Sequence, residues 1–444
     1  MKTAVNFKSI NKLALPATIA GIAEPVLSIT DTAIVGNIPV DGLESLAAVG
    51  IVGAFLSMLI WILGQTRSAI STIISQYLGA GRLNEVKTLP AQAIFFNILL
   101  SLIVLFGTIF IMEDIFGLLN ASGKILEYCV DYYSIRVWGF PLTLFTFAVM
   151  GIFRGLQNTF WPMVIATSGA LLNILLDFAL VYGVKDLIPP MYLEGAAWAS
   201  LIAQGVMALM AIALLISKTD ITLKLRFPIH PEMGRLVKMS LDLFVRTVAL
   251  NVALILAVRE ATALGDHYIG AHTIAINLWL FAAFFIDGYS AAGNSMSGKL
   301  FGAKDYDGLW SLAKKIVRYG LMVSLMLMLA GLVLYRPLGT LFSNDAIVLQ
   351  TFYSIFFIVI LAQPMNTIAF VFDGIFKGLG EMKYLRNVLL VATFLGFIPV
   401  LYLMLHLGLG LQGIWIALTV WMAIRSAAPL WKFRRKFRPL LQKV

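Results

Sequence analysis

Asp31 and the pair formed by Asn173 and Asp177 are the residues whose types and spacing can do chemistry. Asp31 lies in LALPATIAGIAEPVLSITDTAIVG (13–36), an apolar run about as long as a helix needs to cross a bilayer. A carboxylate at that depth costs roughly 2.5–3.5 kcal/mol even on the lenient insertion scale, so it should face protein or water and serve a function. Asn173 and Asp177 stand four apart in LLNILLDFALVYG, which puts an amide and a carboxylate on one helical face. The amide can hydrogen-bond the carboxylate or join it as a ligand. With Ser200 and Gln204 further on, these side chains supply enough oxygens for a small monovalent cation such as Na+, and the two acids suit a proton equally. The structural alternative is that each acid only caps or staples helices. Glu24 lies two turns before Asp31 on nearly the same face and is a candidate second proton stop, or a plug beside Pro25.

Several other side chains belong to the same search. Arg136 and Arg246, one in each half of the chain, sit in apolar runs where a guanidinium must be paired or reach water. Asp131 or Glu127 is the expected partner of Arg136, and Asp242, one turn before Arg246, is expected to pin that residue. Arg67 is a candidate wall of a cavity. Phe145, Phe147, Arg136, Trp279, Phe284, Phe285 and Met365 are candidates to line an adaptable cavity for amphipathic cargo, against the alternative that they face lipid or pack helices. Pro16, Pro25, Pro141, Pro364 and Pro399 break backbone hydrogen bonds inside apolar runs, and Pro25, between two acids of one helix, is the one expected to move.

The elements that must position these residues follow from composition. The chain has 444 residues, 60% hydrophobic and 13% charged, with a mean hydropathy of +0.90. That is too little polar surface to coat a soluble globule of this size, so the expected class is an all-α integral membrane protein. The net charge of +10 is no nucleic-acid signature, because the basic residues are spread between apolar blocks and cluster only at the C-terminal end. The lipid bilayer is the expected partner, and nucleic acid is not. The single Cys129 excludes an internal disulfide and a Cys-built metal site. The basic N-terminus precedes a long apolar run without a clear cleavage site, so a retained first helix is expected and not a signal peptide.

Apolar runs predict about twelve spans, near 10–35, 47–77, 89–112, 126–152, 160–183, 195–216, 235–258, 267–297, 311–334, 347–375, 384–406 and 411–431. Alternating the loops between two sides sorts the 33 lysines and arginines sharply: Lys124, Lys185, Arg259 and Arg336 fall on one side, Arg67, Arg136 and Arg246 inside spans, and the remaining 26 on the other side. By the positive-inside rule both termini are cytoplasmic.

The chain also repeats itself. YLGAGRLNEVKTL (77–89) resembles LFGAKDYDGLWSL (300–312), and GIFRGL (151–156) resembles GIFKGL (374–379), both at an offset of 223 residues; Gly195 and Gly413 form a third pair at 218. The predicted organisation is a six-helix lobe over 1–217, a cytoplasmic linker over 218–234 and a second six-helix lobe with a basic tail over 235–444. Six is even, so the lobes insert alike and are expected to be related by a pseudo-two-fold axis along the membrane normal, with cargo between them. The offset carries Asp31 and Asp177 onto Leu254 and Val400, so the ion-coupling acids are expected to be confined to the first lobe.

Other motifs carry nothing. Gly408, Gly410 and Gly413 spell GxGxxG but follow no strand. No GxxxxGK[ST] occurs, Ser297 stands where a GxSxG run from Gly293 needs its last glycine, and the four histidines form no HExxH. His272 is expected to pack as a hydrogen-bonded residue. No enzyme activity is expected.

Pro16 to Gly36, with the core Asp31-Thr32-Ala33-Ile34-Val35-Gly36, resembles the first helix of MATE transporters, the multidrug and toxic compound extrusion family. Arg154-Gly155-Leu156-Gln157-Asn158-Thr159 resembles that family's cytoplasmic RGxxDT segment, and Leu241-Asp242-Leu243-Phe244-Val245-Arg246-Thr247 resembles the DinF-like branch. The resemblance implies a bacterial inner-membrane, multi-pass monomer that exports small organic, cationic or amphipathic compounds by antiport against H+ or Na+, without a cofactor. It further implies an ion site on Asp31, Asn173 and Asp177. Ser200 replaces the family's threonine and keeps the hydroxyl, Asn158 replaces a common aspartate, and the seventh-helix glutamate of the NorM-like branch is missing. The alternative within the same superfamily is a flippase for a lipid or lipid-linked substrate. Coupling is expected to proceed by bending of the first helix at Pro25.

Overall fold

Backbone groups inside a bilayer have no water to bond, so long apolar runs must satisfy themselves as helices. The structure, a computed structural model, describes residues 5–39, 41–185 and 187–441, without the side chains of Glu24 and Ser28. In chain order it forms α1 (Phe7–Gly36), α2 (Gly42–Leu63), α3 (Thr66–Gly79), α4 (Leu89–Ile109), α5 (Met112–Leu118), α6 (Gly123–Arg136), α7 (Gly139–Gly155), α8 (Phe160–Val181) and α9 (Tyr192–Lys218). There follow α10 (Glu232–Leu264), α11 (Asp266–Gly302), α12 (Tyr306–Phe342), α13 (Ala346–Leu361), α14 (Gln363–Gly378), α15 (Met382–Leu390), α16 (Ile398–His406) and α17 (Gly410–Phe437). Among the described residues the β pairing is a single isolated bridge, Val184 to Ile188. Where polar residues interrupt the apolar runs they start helices: Asp305 accepts from Gly308 N at 2.7 Å ahead of α12, and Asp345 accepts from Ile347 N at 2.8 Å ahead of α13.

Among the described residues ten helical segments are long and apolar enough to cross a membrane, and the total is twelve when α6 with α7 and α13 with α14 each count as one bent span. The spans expected at 126–152 and 347–375 are present and bent: the chain turns by 47° between α6 and α7 and by 49° between α13 and α14. Proline is the physical reason. Pro141 lies in the first turn of α7 and Pro364 in that of α14, where a missing amide hydrogen is tolerated but the preceding turn cannot run straight on. Pro399 enters α16 directly after a π-helical stretch, Val391–Phe397, a widening that accommodates a lost amide. Pro16 and Pro25 lie within an α1 that stays helical throughout.

The chain divides into two units. The C-terminal unit gathers the described residues of Met1–Thr18, Ser75–Gly81 and Leu241–Val444; the N-terminal unit gathers those of Ile19–Ile74 and Arg82–Ser240. In the C-terminal unit, one core is built from Trp279, Phe352, Phe356, Phe397 and Trp421. A second, from Tyr289, Phe372, Phe376 and Phe433, includes Ile10 and Leu13 of α1. Hydrogen bonds explain why the early segments belong there: Tyr289 Oη donates to Asn11 Oδ1 at 3.0 Å, Lys315 Nζ to Val5 O at 2.5 Å, and Gln76 Nε2 to Gly378 O at 2.8 Å. In the N-terminal unit the buried side chains include Ile34, Val52, Phe116, Tyr133 and Val181. The long connection after α9 is fastened to α4, because Gln92 donates to Arg226 O at 2.7 Å and accepts from His230 N at 2.8 Å.

The internal repeat has a packing cause. In the N-terminal unit a Cβ on Gly151 would meet the backbone of Arg67, and one on Gly155 the side chain of Ile74; in the C-terminal unit Gly374 stands against the backbone of Ser290 and Gly378 against Ser297 and Asn294. Each C-terminal partner of Gly374 and Gly378 lies 223 residues beyond its N-terminal counterpart, 67 to 290 and 74 to 297. The motif GIF[RK]GL is thus one solution, used twice, to bringing two helix backbones together.

Candidate functional site

Asp31 on α1 meets Asn173 and Asp177 on α8 inside the N-terminal unit. The helical spacing of four puts Asn173 Nδ2 within 2.5 Å of Asp177 Oδ2, and the same nitrogen lies 3.2 Å from Asp31 Oδ1. All three are buried, Asp31 at 9% exposure, Asn173 at 2% and Asp177 at 0%. The two carboxyl groups are within hydrogen-bonding reach of each other. A second clasp holds the same two helices in register: Tyr182, just past α8, donates its hydroxyl to Ile34 O on α1 at 2.7 Å.

The surroundings set the charge balance. Arg136, at the end of α6, attracts both carboxylates, and the buried Tyr132 one turn earlier lies in the field of both. Asp177 Oδ1 is buried without a hydrogen-bond partner among the described residues. Two carboxylates facing one guanidinium leave one negative charge unbalanced, and an unpaired buried acceptor lies beside it. Desolvated charges are retained only when paired, so this arrangement fits one monovalent cation or one proton.

Arg136 does not pair with Asp131 or Glu127 as expected. At about 100° per residue, positions five and nine residues earlier point roughly 140° and 180° away from Arg136, and both acids are exposed on that far side. Its guanidinium instead stands 5.8 Å from the Tyr132 ring centroid. Tyr132 escaped the sequence reading altogether. The signal that finds it is its spacing, one turn from a membrane-embedded arginine.

The remaining expected residues are distributed as follows. Ser200 on α9 is 2% exposed, and its hydroxyl has no partner among the described residues, as is also true of Gln204 Oε1. The side chain of Glu24 lies outside the described residues, and Pro25 lies mid-way along α1. Phe145 and Phe147 are half-buried on α7, where the guanidinium of Arg67 lies 4.9 Å from the Phe147 ring centroid. Trp279, Phe284 and Met365 belong to the C-terminal unit, where Trp279 is a core residue at 8% exposure and Met365 packs against the same core. His272 is buried, but neither ring nitrogen has a partner among the described residues, so the hydrogen-bonded packing expected for it is corrected. Its ring lies beside Trp415, at 5.6 Å between centroids.

In the C-terminal unit the ion pairs differ from expectation. Arg246 pairs with Asp373 of α14 at 2.5 Å, not with Asp242, which pairs with Arg386 of α15 at 2.6 Å. Spacing along one helix offers Asp242 to Arg246, but the core of the unit faces α14, and only a partner there buries the guanidinium together with its counter-charge. Intramembrane acids are thus not confined to the first half. Asp373 is legible in the sequence all the same: its apolar setting, FVFDGIF, carries the same signal as that of Asp31.

The MatE family model matches residues 16–179 and 244–403. Among curated relatives, Protein DETOXIFICATION 43 of Arabidopsis thaliana is 28% identical over 75% of this chain, which spans only 62% of that protein. DNA damage-inducible protein F of Escherichia coli is 25% identical over 96% of this chain and 92% of its own length, and Multidrug resistance protein NorM of Vibrio vulnificus is 24% identical over 94% and 93%. A crystal structure of MATE in the bent conformation superimposes with a TM-score of 0.90 at 20% identity, covering 98% of this chain and 96% of its own, a likeness of fold. The family model reaches both halves of the chain and ends one match just past Asp177, so this multi-pass membrane protein belongs to the MatE family of transporters.

Proposed function

We propose that the chain is a secondary active antiporter that exports small organic, cationic or amphipathic compounds in exchange for H+ or Na+. The observation that carries the exchange is the charge balance at Asp31, Asp177 and Arg136, which lacks one positive charge. The export of drug-like cargo is supported by the name of the NorM relative, a multidrug resistance protein. None of the comparisons supports the lipid flippase reading.

The residues divide the work. Asp31 and Asp177 take up the ion, Asn173 holds both carboxylates at one nitrogen, and Arg136 offsets one of their two charges. Ser200 and Glu24 extend the coupling route. Binding of one cation removes the residual repulsion between two carboxylates on different helices and so favours whichever arrangement of α1 and α8 keeps them closest. The ion shifts the equilibrium only by its differential affinity for the two states, and α1 is free to flex at Pro25, where the backbone lacks a hydrogen bond. Phe145, Phe147 and Arg136 in the N-terminal unit and Trp279, Phe284 and Met365 in the C-terminal unit are the candidates for contact with cargo, each within its own unit; the termini lie in the cytoplasm, and the transporter acts as a monomer in the bacterial inner membrane.

The test is purified protein in liposomes loaded with ethidium, with pH and sodium gradients imposed one at a time. Export driven by one gradient and abolished in Asp31→Asn and Asp177→Asn supports the reading. Export that continues unchanged in both variants refutes it.

A further inference from the structure

The charges of α12 fix its depth in a bilayer. Between Arg318 and Arg336 no residue is charged. The two arginines stand about 27 Å apart along the axis, at about 1.5 Å per residue, close to the roughly 30 Å of a hydrocarbon core. Arg318 therefore marks one membrane boundary, and Lys314, one turn further out, lies among the headgroups. The basic end of α17 lies on that same side, because Trp310 of α12 stacks on Phe433 at 5.6 Å between centroids, directly before Arg434, Arg435 and Lys436. By the positive-inside rule this is the cytoplasmic side.

Lys314 and Arg318 are four residues apart on one helical face, and both are exposed. No carboxylate among the described residues lies within 4.0 Å of either. Asp307, the nearest acid on that face of the helix, is two turns before Lys314, roughly 10 Å along the axis. Lys315 is turned towards α1 and donates to Val5 O at 2.5 Å, and Tyr319 packs edge-on against Phe7 of α1, so α1 covers the neighbouring face and leaves this one open. Directly inward of the two cations the open face becomes apolar. Val317 and Leu321 are half-buried there, and Met322 and Leu325 are each 48% exposed. Together with Lys314 and Arg318 these four side chains line an open groove of about 370 Å³. One turn outward, the ring of Trp310 stands 5.6 Å from Lys314 Nζ, an aromatic at headgroup depth.

We propose that this face of α12 is a binding site for an anionic phospholipid of the cytoplasmic leaflet. The phosphate sits between Lys314 and Arg318, and one acyl chain runs inward over Val317, Leu321, Met322 and Leu325. Like charges four apart on a helix repel, and a bridging phosphate removes that repulsion. A zwitterionic headgroup brings its own cation beside the phosphate and so loses most of the attraction, whereas phosphatidylglycerol, with a net negative charge, keeps it. The depth of the two cations matches the charge of the leaflet they face, and the groove begins where the acyl chains begin. The site needs neither cargo nor a driving ion, so it stands or falls separately from the export reading.

Native mass spectrometry of the full chain in detergent, titrated with palmitoyl-oleoyl phosphatidylglycerol or with the phosphatidylcholine of the same chains, tests the site. The first phosphatidylglycerol should bind more tightly than the first phosphatidylcholine. Each basic side chain contributes about fivefold to attraction by an anionic lipid. Lys314→Gln with Arg318→Gln should therefore weaken the first phosphatidylglycerol by about twentyfold, towards the value for phosphatidylcholine, whose own binding should hardly change. Either single variant should lose about fivefold, which keeps the test available should the double variant fail to fold. Arg336→Gln, at the opposite boundary, should leave the first phosphatidylglycerol unchanged. Free glycerol 3-phosphate, which has the headgroup phosphate and no chain, should not compete. Equal binding of the two lipids, parent-like binding in the variants, or full competition by glycerol 3-phosphate overturns the proposal. So does a lipid-free dimer that the double variant abolishes, which would assign the face to a second copy of the chain.

Discussion

Asn173 on α8 reaches Asp31 on α1 with a 3.2 Å hydrogen bond from the nitrogen that also serves Asp177. One amide therefore decides how far apart two carboxylates on different helices stand. Hydrogen bonds to charged groups contribute about 1.5–3 kcal/mol each, and a proton taken up by either carboxylate competes with this donor, so Asn173→Ala should shift the half-saturating concentration of the driving ion by about ten- to a hundredfold, downward where that ion is H+. Asn173→Ser, which keeps a donor, should fall between. The measurement is ethidium export from liposomes at graded ion concentration. An unchanged midpoint in Asn173→Ala would show that the amide only fills space.

The pair of Arg246 and Asp373 yields the converse case, a charge contact expected to hold the fold. Removing one partner of a buried pair strands the other, at about 3–5 kcal/mol. Asp373→Asn leaves Arg246, Lys377 and Arg425 facing each other without a carboxylate, so its thermal midpoint in detergent should fall well below that of the parent. The double variant Arg246→Met with Asp373→Met should recover part of the loss. If Asp373→Asn melts with the parent, the pair contributes no net stability.

The span pattern, the repeat and the spacing of Asn173 and Asp177 are one-dimensional signals, and each has its counterpart in a helix, a close helix contact or a hydrogen bond. What the chain could not show was which faces meet. Asp242 is offered to Arg246 by spacing, yet the partner comes from α14, and Arg136 lies in the field of Asp31 and Asp177 because α6 turns its Tyr132 face inward. Partner choice between helices is set by packing of whole elements, which no local spacing encodes.

Glu381, in the connection between α14 and α15, anchors the end of α17. Burial pushes its carboxyl up, but hydrogen bonds from Lys436 at 2.6 Å and Lys432 at 2.9 Å outweigh that and hold it below the ordinary glutamate range. A depressed folded-state value means the stabilisation is present above the unfolded value near 4.5 and is lost as pH falls through the folded one. Both lysines are partly solvated, so the net effect is modest, about 1 kcal/mol. Hydrogen exchange at 430–438 should accelerate about fivefold in Glu381→Gln near neutral pH. It should accelerate in the parent only on acidification below the ordinary glutamate value, where the two proteins should converge. A parent whose exchange protection does not fall on acidification would rule out the anchor.

The repeated glycines permit a test with a built-in control. A Cβ on Gly374 would run into the backbone of Ser290, and one on Gly151 into the backbone of Arg67; backbone cannot rotate aside as a side chain can, so the helices must separate. Overpacking of this kind costs about 1–3 kcal/mol or more. Gly53, inside α2, has nothing within 4 Å of the corresponding position, and there alanine only removes backbone freedom from the unfolded chain, a gain of up to about 1 kcal/mol. Gly374→Ala and Gly151→Ala should therefore both lower the thermal midpoint by similar amounts, because the two contacts are copies of one arrangement, while Gly53→Ala should leave it unchanged or raise it. Similar losses in all three would mean that helix glycines matter here for flexibility and not for close approach.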